Sequence, residues 1–179
     1  MATALLVIDV QDSLCAGAFA AHDIDRVLAT INASIVRARA AGVPVLFVQH
    51  EQDNDPLFRF GSPGWQLASG LLAEPEDERV RKTTPDAFND TPLHALLQAR
   101  GIDRLLVCGL QSEFCVDTSV RRALSLGYTV ELLADAHSTL DNGVLTAAQI
   151  SAHHNEIFAN MTSFGPRIHV RVADEVVFH

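Results

Sequence analysis

The sequence predicts an α/β fold. Apolar runs of strand length alternate with segments of helical period along the chain. The first of these runs, Ala4–Ile8, is apolar throughout, as in strands covered on both faces of a parallel sheet. No repeat, low-complexity tract or long linker divides the 179 residues, a length that suits a single domain over 1–179.

The elements follow in order. Ala4–Ile8 is a buried strand that ends at Asp9. A helix is expected over about 24–41, because Val27, Leu28, Ile31 and Ile35 recur at helical spacing and Gly42 supplies a stop. Pro44–Val48 is a second strand. The stretch 51–75 holds several Pro and Gly residues without a period and is long for a connector, which marks it as functional or mobile. Glu78–Lys82 is a short third strand. Thr91 is expected to cap a helix whose first residue is Pro92 and which Gly101 closes. Arg104–Val107 is a fourth strand. Ser112 is expected to cap the next helix, which carries Val116, Val120, Ala123 and Leu124 and stops at Gly127. Tyr128–Leu133 is a fifth strand, a helix covers about 144–160, and Arg167–Val172 is a sixth strand.

Composition narrows the function. The formal net charge is -9 and no Lys/Arg cluster is present, which argues against a nucleic-acid partner. No stretch approaches the roughly 20 apolar residues of a membrane helix, so no membrane partner is expected. Ala4–Ile8 is too short for a signal core and lacks a basic lead-in. Three cysteines, Cys15, Cys108 and Cys115, suit a reducing compartment better than a disulfide framework, so the expected location is cytoplasmic. They show no zinc-ligand spacing, and no metal or other cofactor is expected.

Parallel sheets hold ligands beyond the carboxyl ends of their strands. Asp9, His50 and Lys82 stand at the ends of the first three strands, Gly109–Cys115 follows the fourth, and Asp135–His137 follows the fifth. Cys108 lies within an apolar run and reads as core. Cys115 follows a strand, a Gly and a short polar turn, at the first turn of a helix. Unpaired N–H groups and the helix dipole there favour a thiolate, and the same N–H groups suit an oxyanion. A cysteine merely packed at a helix start fits the same spacing. Asp9 is costly to bury alone and is placed to accept and return the thiol proton, or else it caps a turn. Lys82 either joins Asp9 to Cys115 or is a solvated edge lysine. His137 is expected at the pocket rim or in a structural hydrogen bond. His153 and His154 face different sides of their helix, so they do not form an i, i+4 metal pair and read as structural or interfacial.

Three segments resemble the isochorismatase-like cysteine hydrolases. Leu6-Val7-Ile8-Asp9-Val10-Gln11 resembles their opening strand. Val80-Arg81-Lys82-Thr83 with Asp86-Ala87-Phe88 resembles their lysine segment. Val107-Cys108-Gly109-Leu110-Gln111-Ser112-Glu113-Phe114-Cys115-Val116 resembles their nucleophile segment. The resemblance implies a three-layer α/β/α, Rossmann-like architecture with a six-stranded, mostly parallel sheet. It implies Asp9 as general base and acid, Lys82 as electrostatic partner and Cys115 as nucleophile. It also implies a cis peptide at Leu110–Gln111, which would aim the Gln111 N–H at the oxyanion beside that of Cys115. Gln11, Gln111, Leu110, Phe114, Trp65 and Phe60 are the expected oxyanion and substrate residues, the three aromatics as an apolar wall.

The implied activity is cleavage of a small amide C–N bond through a thioester. The alternatives are a vinyl-ether hydrolase of the isochorismatase type, or a non-catalytic binding member of the same fold. A thiol sensor using Cys115 ranks below these. The partner expected is a small-molecule substrate, and a homo-oligomer, dimer or tetramer, is expected. Two departures matter. After Gln11 many relatives continue Asn-Asp-Phe where this chain has Asp12-Ser13-Leu14, so that wall of the pocket differs. The run Gln49-His50-Glu51-Gln52-Asp53 lacks the Asp-x-His metal pair of nicotinamidases. The chain also starts a few residues before its first strand, shorter than isochorismatases proper, so isochorismate is not the expected substrate.

Overall fold

The computed structural model describes residues 1–165 and 167–179. Six strands form one sheet: β1 (Ala2–Ile8), β2 (Val45–His50), β3 (Glu78–Lys82), β4 (Ile102–Leu110), β5 (Thr129–Ser138) and β6 (Ile168–Arg171). Their order is β3-β2-β1-β4-β5-β6, and every pairing is parallel. The sheet therefore grows one way from β1 to β3 and the other way from β1 through β4 to β6. The crevice between the carboxyl ends of β1 and β4 is the point where the direction reverses.

Side-chain alternation splits β1 between two cores. Leu5 and Val7 face α2 (Ile24–Ala40), whose Val27, Ile31, Ile35 and Ala38 form a buried stripe, with Ala173 and Val176 of the C-terminal segment beside them. Ala4, Leu6 and Ile8 face the opposite layer. That layer is built from Leu93 and Leu97 of α3 (Leu93–Ala99), from Val120, Ala123 and Leu124 of α4 (Asp117–Ser125), and from Phe158 of α5 (Ala147–Ala159). A single turn, α1 (Asp12–Cys15), follows β1. Three layers result, as expected.

Several boundaries differ from the expected ones for local reasons. β4 runs on through Cys108 to Leu110, because Gly109 adopts φ +122° and lies so close to β1 that a Cβ there would stand 2.0 Å from the Ile8 carbonyl oxygen. The last long helix begins at Ala147, not near 144. Thr146 Oγ1 accepts from the Gln149 N–H while the Gln149 side chain accepts from the Thr146 N–H, a reciprocal cap that fixes the start. Pro92 sits at the cap of α3 and not inside it, although Thr91 Oγ1 does accept from the Leu93 N–H at 3.3 Å. Ser112 caps nothing: Ser112–Val116 is a single π turn running into α4, and the Phe114 and Val116 N–H groups both donate to the Gln111 carbonyl at 3.2 Å.

Candidate active site

Asp9 leaves β1 in the left-handed region, with φ +52°. This conformation is uncommon outside glycine, and Asp tolerates it better than most. It turns the chain back at the switch point. Lys82 ends β3 two strands away, and Cys115 rides on the π turn after β4. The structure brings these three together. Lys82 Nζ lies 2.7 Å from Asp9 Oδ2 and donates to Cys115 Sγ at 3.1 Å and to the Thr84 carbonyl at 3.1 Å. Asp9 and Lys82 are each about 1% exposed, so the pair is held away from solvent screening. Apart from that ammonium, neither Asp9 carboxylate oxygen has a hydrogen-bond partner among the described residues. A buried carboxylate so sparsely satisfied keeps acceptor positions for a further donor.

The electrostatics correct one expectation. Burial first, and then the Asp9 carboxylate, push the Cys115 thiol up to about 12 against the pull of Lys82. Both effects work against the resting thiolate that the helix start favours, and the sulfur lies in contact with an ammonium. Burial pulls the Lys82 ammonium down, but Asp9 and then Cys115 push it further up, and the net direction is up. Lys82 is charged throughout the physiological range. Cys15 is likewise pushed up to about 12, by burial and then Asp12, and Cys108 is sealed in the core.

A cavity of about 200 Å3 opens at this trio. Asp9 and Cys115 line it, with His50 and Gln111 as further polar groups and Leu14, Phe58, Pro85 and Phe114 as apolar wall. Phe60 and Trp65 are not part of that lining. They pack edge to face on each other at 4.8 Å, and Arg81 covers Phe60 at 4.1 Å. The expected aromatic wall is thus drawn by Phe58 in place of Phe60 and Trp65. The loop had no period to show which of its aromatics points inward. Leu14, at the position where the resemblance implied an aromatic, falls on the cavity wall. Pro85 carried only its closeness to Lys82 as a signal.

Gln11 is also reassigned. It is fully buried, its amide N–H groups donate to the His50 and Trp65 carbonyls at 3.0 and 2.8 Å, and its oxygen accepts from the His50 N–H at 2.8 Å. Nothing of its amide remains for a substrate; it clasps β1 to β2 and the following loop. Leu110 is fully buried, and the Leu110–Gln111 peptide is cis. His50 Nδ1 lies 3.5 Å from Lys82 Nζ, and burial and then Lys82 hold its pKa below the ordinary range. Among the described residues no group of three or more His, Cys, Asp or Glu is arranged to hold a metal ion. His137 lies under the rim, buried and bonded to Ser112 and Asn155. His154 Nδ1 is bonded to the Ile150 carbonyl of its own helix. No helix among the described residues is long and apolar enough to cross a membrane.

Comparison with known proteins bears on the family and the fold. The family model described as the isochorismatase domain matches residues 3–168. Streptothricin hydrolase of Streptomyces noursei is 43% identical over 138 residues, covering 77% of this chain and 50% of its own. Ureidoacrylate amidohydrolase RutB of Stutzerimonas stutzeri is 30% identical over 197 residues, covering 90% of this chain and 79% of its own. The crystal structure of an isochorismatase from Pseudomonas putida KT2440 superposes with a TM-score of 0.88 at 30% identity, covering 98% of this chain and 90% of that one. The chain spans about half the length of the streptothricin hydrolases it matches.

Proposed function

This chain belongs to the isochorismatase family, and from that premise we propose that it is a hydrolase that cleaves the C–N bond of a small amide through a thioester on Cys115. The observation that carries the reading is the Lys82 ammonium touching both the Asp9 carboxylate and the Cys115 sulfur beside a small cavity. Relatives named as hydrolase and amidohydrolase support the reaction class.

Burial and Asp9 oppose a resting thiolate, so the thiol proton leaves as the sulfur attacks. Asp9 takes that proton while Sγ bonds to the carbonyl carbon, and the carbonyl oxygen becomes an oxyanion held by the N–H groups of Gln111 and Cys115. Lys82 keeps its charge and stabilises the sulfur as negative charge develops there. Asp9 then delivers the proton to the amide nitrogen, the C–N bond breaks, and the amine departs. Water enters, loses a proton to Asp9 and attacks the thioester. The C–S bond breaks, the proton returns to sulfur, and the acid leaves. The sum is amide plus water giving acid plus amine.

The cavity suggests what kind of acyl group is handled. At about 200 Å3 it falls below the roughly 300–1,000 Å3 of sites for drug-sized ligands. Asp9 is the one acidic residue among those lining the cavity, and it is already paired with Lys82. A small uncharged acyl group suits these walls. Intact-mass spectrometry after incubation with a panel of small amides tests the reading: an acyl adduct on Cys115 is expected, absent in Cys115→Ala, which should also lose turnover. Full hydrolysis by Cys115→Ala would remove the proposed nucleophile.

A further inference from the structure

A hydrogen-bonded chain runs behind the nucleophile turn and is used by none of the steps above. Ser112 Oγ lies 2.8 Å from His137 Nδ1 and 3.0 Å from Ser151 Oγ, and His137 Nε2 lies 2.9 Å from Asn155 Oδ1. Asn155 Nδ2 donates to the Ala134 carbonyl at 3.0 Å. Ser112 and His137 are buried, at 0% and 3% exposure.

The direction of every bond in this chain is determined. The Asn155 amide must aim its nitrogen at the Ala134 carbonyl, since the reverse would set two oxygens against each other. Its oxygen therefore faces His137 Nε2, which must carry the ring proton. Burial keeps the imidazole neutral, so Nδ1 has a lone pair and Ser112 must donate to it. Ser112 has then spent its one proton, and Ser151 donates to Ser112. Ser151 and Asn155 are one turn apart on α5, so the chain leaves that helix and returns to it.

We propose that this directed chain, Ser151 to Ser112 to His137 to Asn155, is a positioning device that fixes the π turn so that Cys115 stays in contact with Lys82. Ser112 opens that turn and Cys115 lies three residues on. Within the turn the Phe114 and Val116 N–H groups donate to the Gln111 carbonyl and the Asp117 N–H to the Ser112 and Phe114 carbonyls. The bond from Ser112 to His137 ties the start of the turn to β5, and Thr139 Oγ1, just past β5, donates to Glu113 at 2.9 Å beside it. The inference rests on Cys115 being the nucleophile, but its test does not need turnover.

The test compares Ser112→Ala, His137→Gln and His137→Asn with wild type. Asn at 137 places an oxygen near the Nδ1 position and can still accept from Ser112; Gln keeps a polar group toward Asn155 and loses that acceptor. The readout is the rate of Cys115 alkylation by iodoacetamide at about pH 8, assigned by peptide mass mapping to separate Cys15, with circular dichroism to establish folding. Losing the Lys82 contact leaves the thiol less ionised, so Ser112→Ala and His137→Gln should react about threefold to tenfold more slowly while His137→Asn stays within about twofold of wild type. On an amide that yields the acyl adduct, kcat should fall in step with KM unchanged. Wild-type alkylation rates in both Ser112→Ala and His137→Gln would overturn the proposal, as would equal slowing in the two His137 variants, which would mean only that the site needs a filled volume. Should either His137 variant not fold, Ser112→Ala alone decides. If Cys115→Ala retains turnover, the function reading fails and these alkylation rates still report on the turn.

Discussion

Replacing Asp9 by Asn should make the site's sulfur more reactive while destroying its catalysis. The substitution keeps the shape of the side chain and removes one negative charge. The Asp9 oxygen and the Cys115 sulfur both touch Lys82 Nζ, at 2.7 and 3.1 Å. At a separation of about 5 Å and an effective dielectric of about 20, a carboxylate and a thiolate so placed repel by about 3 kcal/mol. Relief of that repulsion lets about a hundredfold more of the thiol ionise at neutral pH, because about 1.4 kcal/mol is a factor of ten. A less basic thiolate is also a weaker nucleophile, and a Brønsted slope of about 0.4–0.5 gives back roughly half of the logarithmic gain. The net expectation at about pH 7.5 is a rise of about tenfold in the rate at which iodoacetamide alkylates Cys115. Amide turnover should be lost in the same variant, because nothing remains to carry the proton from sulfur to nitrogen. Peptide mapping of the alkylated protein over time measures the first, and the substrate assay the second. An alkylation rate unchanged or lowered in Asp9→Asn would refute the reasoning, since it would mean that no negative charge opposes ionisation of the sulfur in the resting protein.

Two further outcomes follow from the same geometry. Gly109→Ala should destabilise the protein by at least about 3 kcal/mol, because the new methyl would collide with the Ile8 backbone in the centre of the sheet and the position has positive φ; a thermal midpoint within a degree or two of wild type would contradict the close approach of β1 and β4. Stability should also fall as pH drops below the ordinary histidine range. His50 and His137 both have lowered pKa values in the folded protein, with burial as the largest cause. Between those values and the unfolded value of about 6.5 the unfolded chain binds more protons, so acid favours unfolding. Urea denaturation at about pH 7.5 and 5.5 measures the drop, and His50→Gln should reduce it; an unchanged pH dependence in that variant would remove His50 from the account.

The fold was readable because its signals are local and redundant. The central strands β1, β2 and β4 are largely apolar runs, and Gly42, Gly101 and Gly127 mark where helices stop, so most of the element order needed no tertiary information. Asp9, Lys82 and Cys115 were also legible, since a carboxyl-end position confines candidates to a few residues per strand. What could not be read depends on orientation within irregular chain. The loop 51–75 holds Phe58, Phe60 and Trp65, and only the folded path shows that Phe58 faces the cavity. Gln11 has the chemistry of a substrate ligand, and only its three backbone bonds reveal a clasp. Ser112 matches a helix cap by type and place, yet the π turn leaves its hydroxyl pointing at a histidine 25 positions away. The thiol's state is not legible in the sequence for a different reason. The helix start favours a thiolate, but burial and a neighbouring carboxylate oppose it, and neither is visible along the chain.

The identity of Lys82 follows from the sheet order. Cys115 and Asp9 come from β4 and β1, which are neighbours, but Lys82 comes from β3, with β2 between. Adjacent strands lie about 4.8 Å apart, so the cation must span about two such spacings, and it does so past His50, its register partner on β2. A long unbranched stem is required. At its end a tetrahedral ammonium meets acceptors in three directions, Asp9, Cys115 and the Thr84 carbonyl. A guanidinium is as long, but its donors lie in one plane and favour a bidentate carboxylate over three divergent partners. Lys82→Arg should therefore bind Asp9 and release Cys115. A buried carboxylate two strands from its own cation is costly to assemble, and it is the contact with sulfur that gives the arrangement a chemical use.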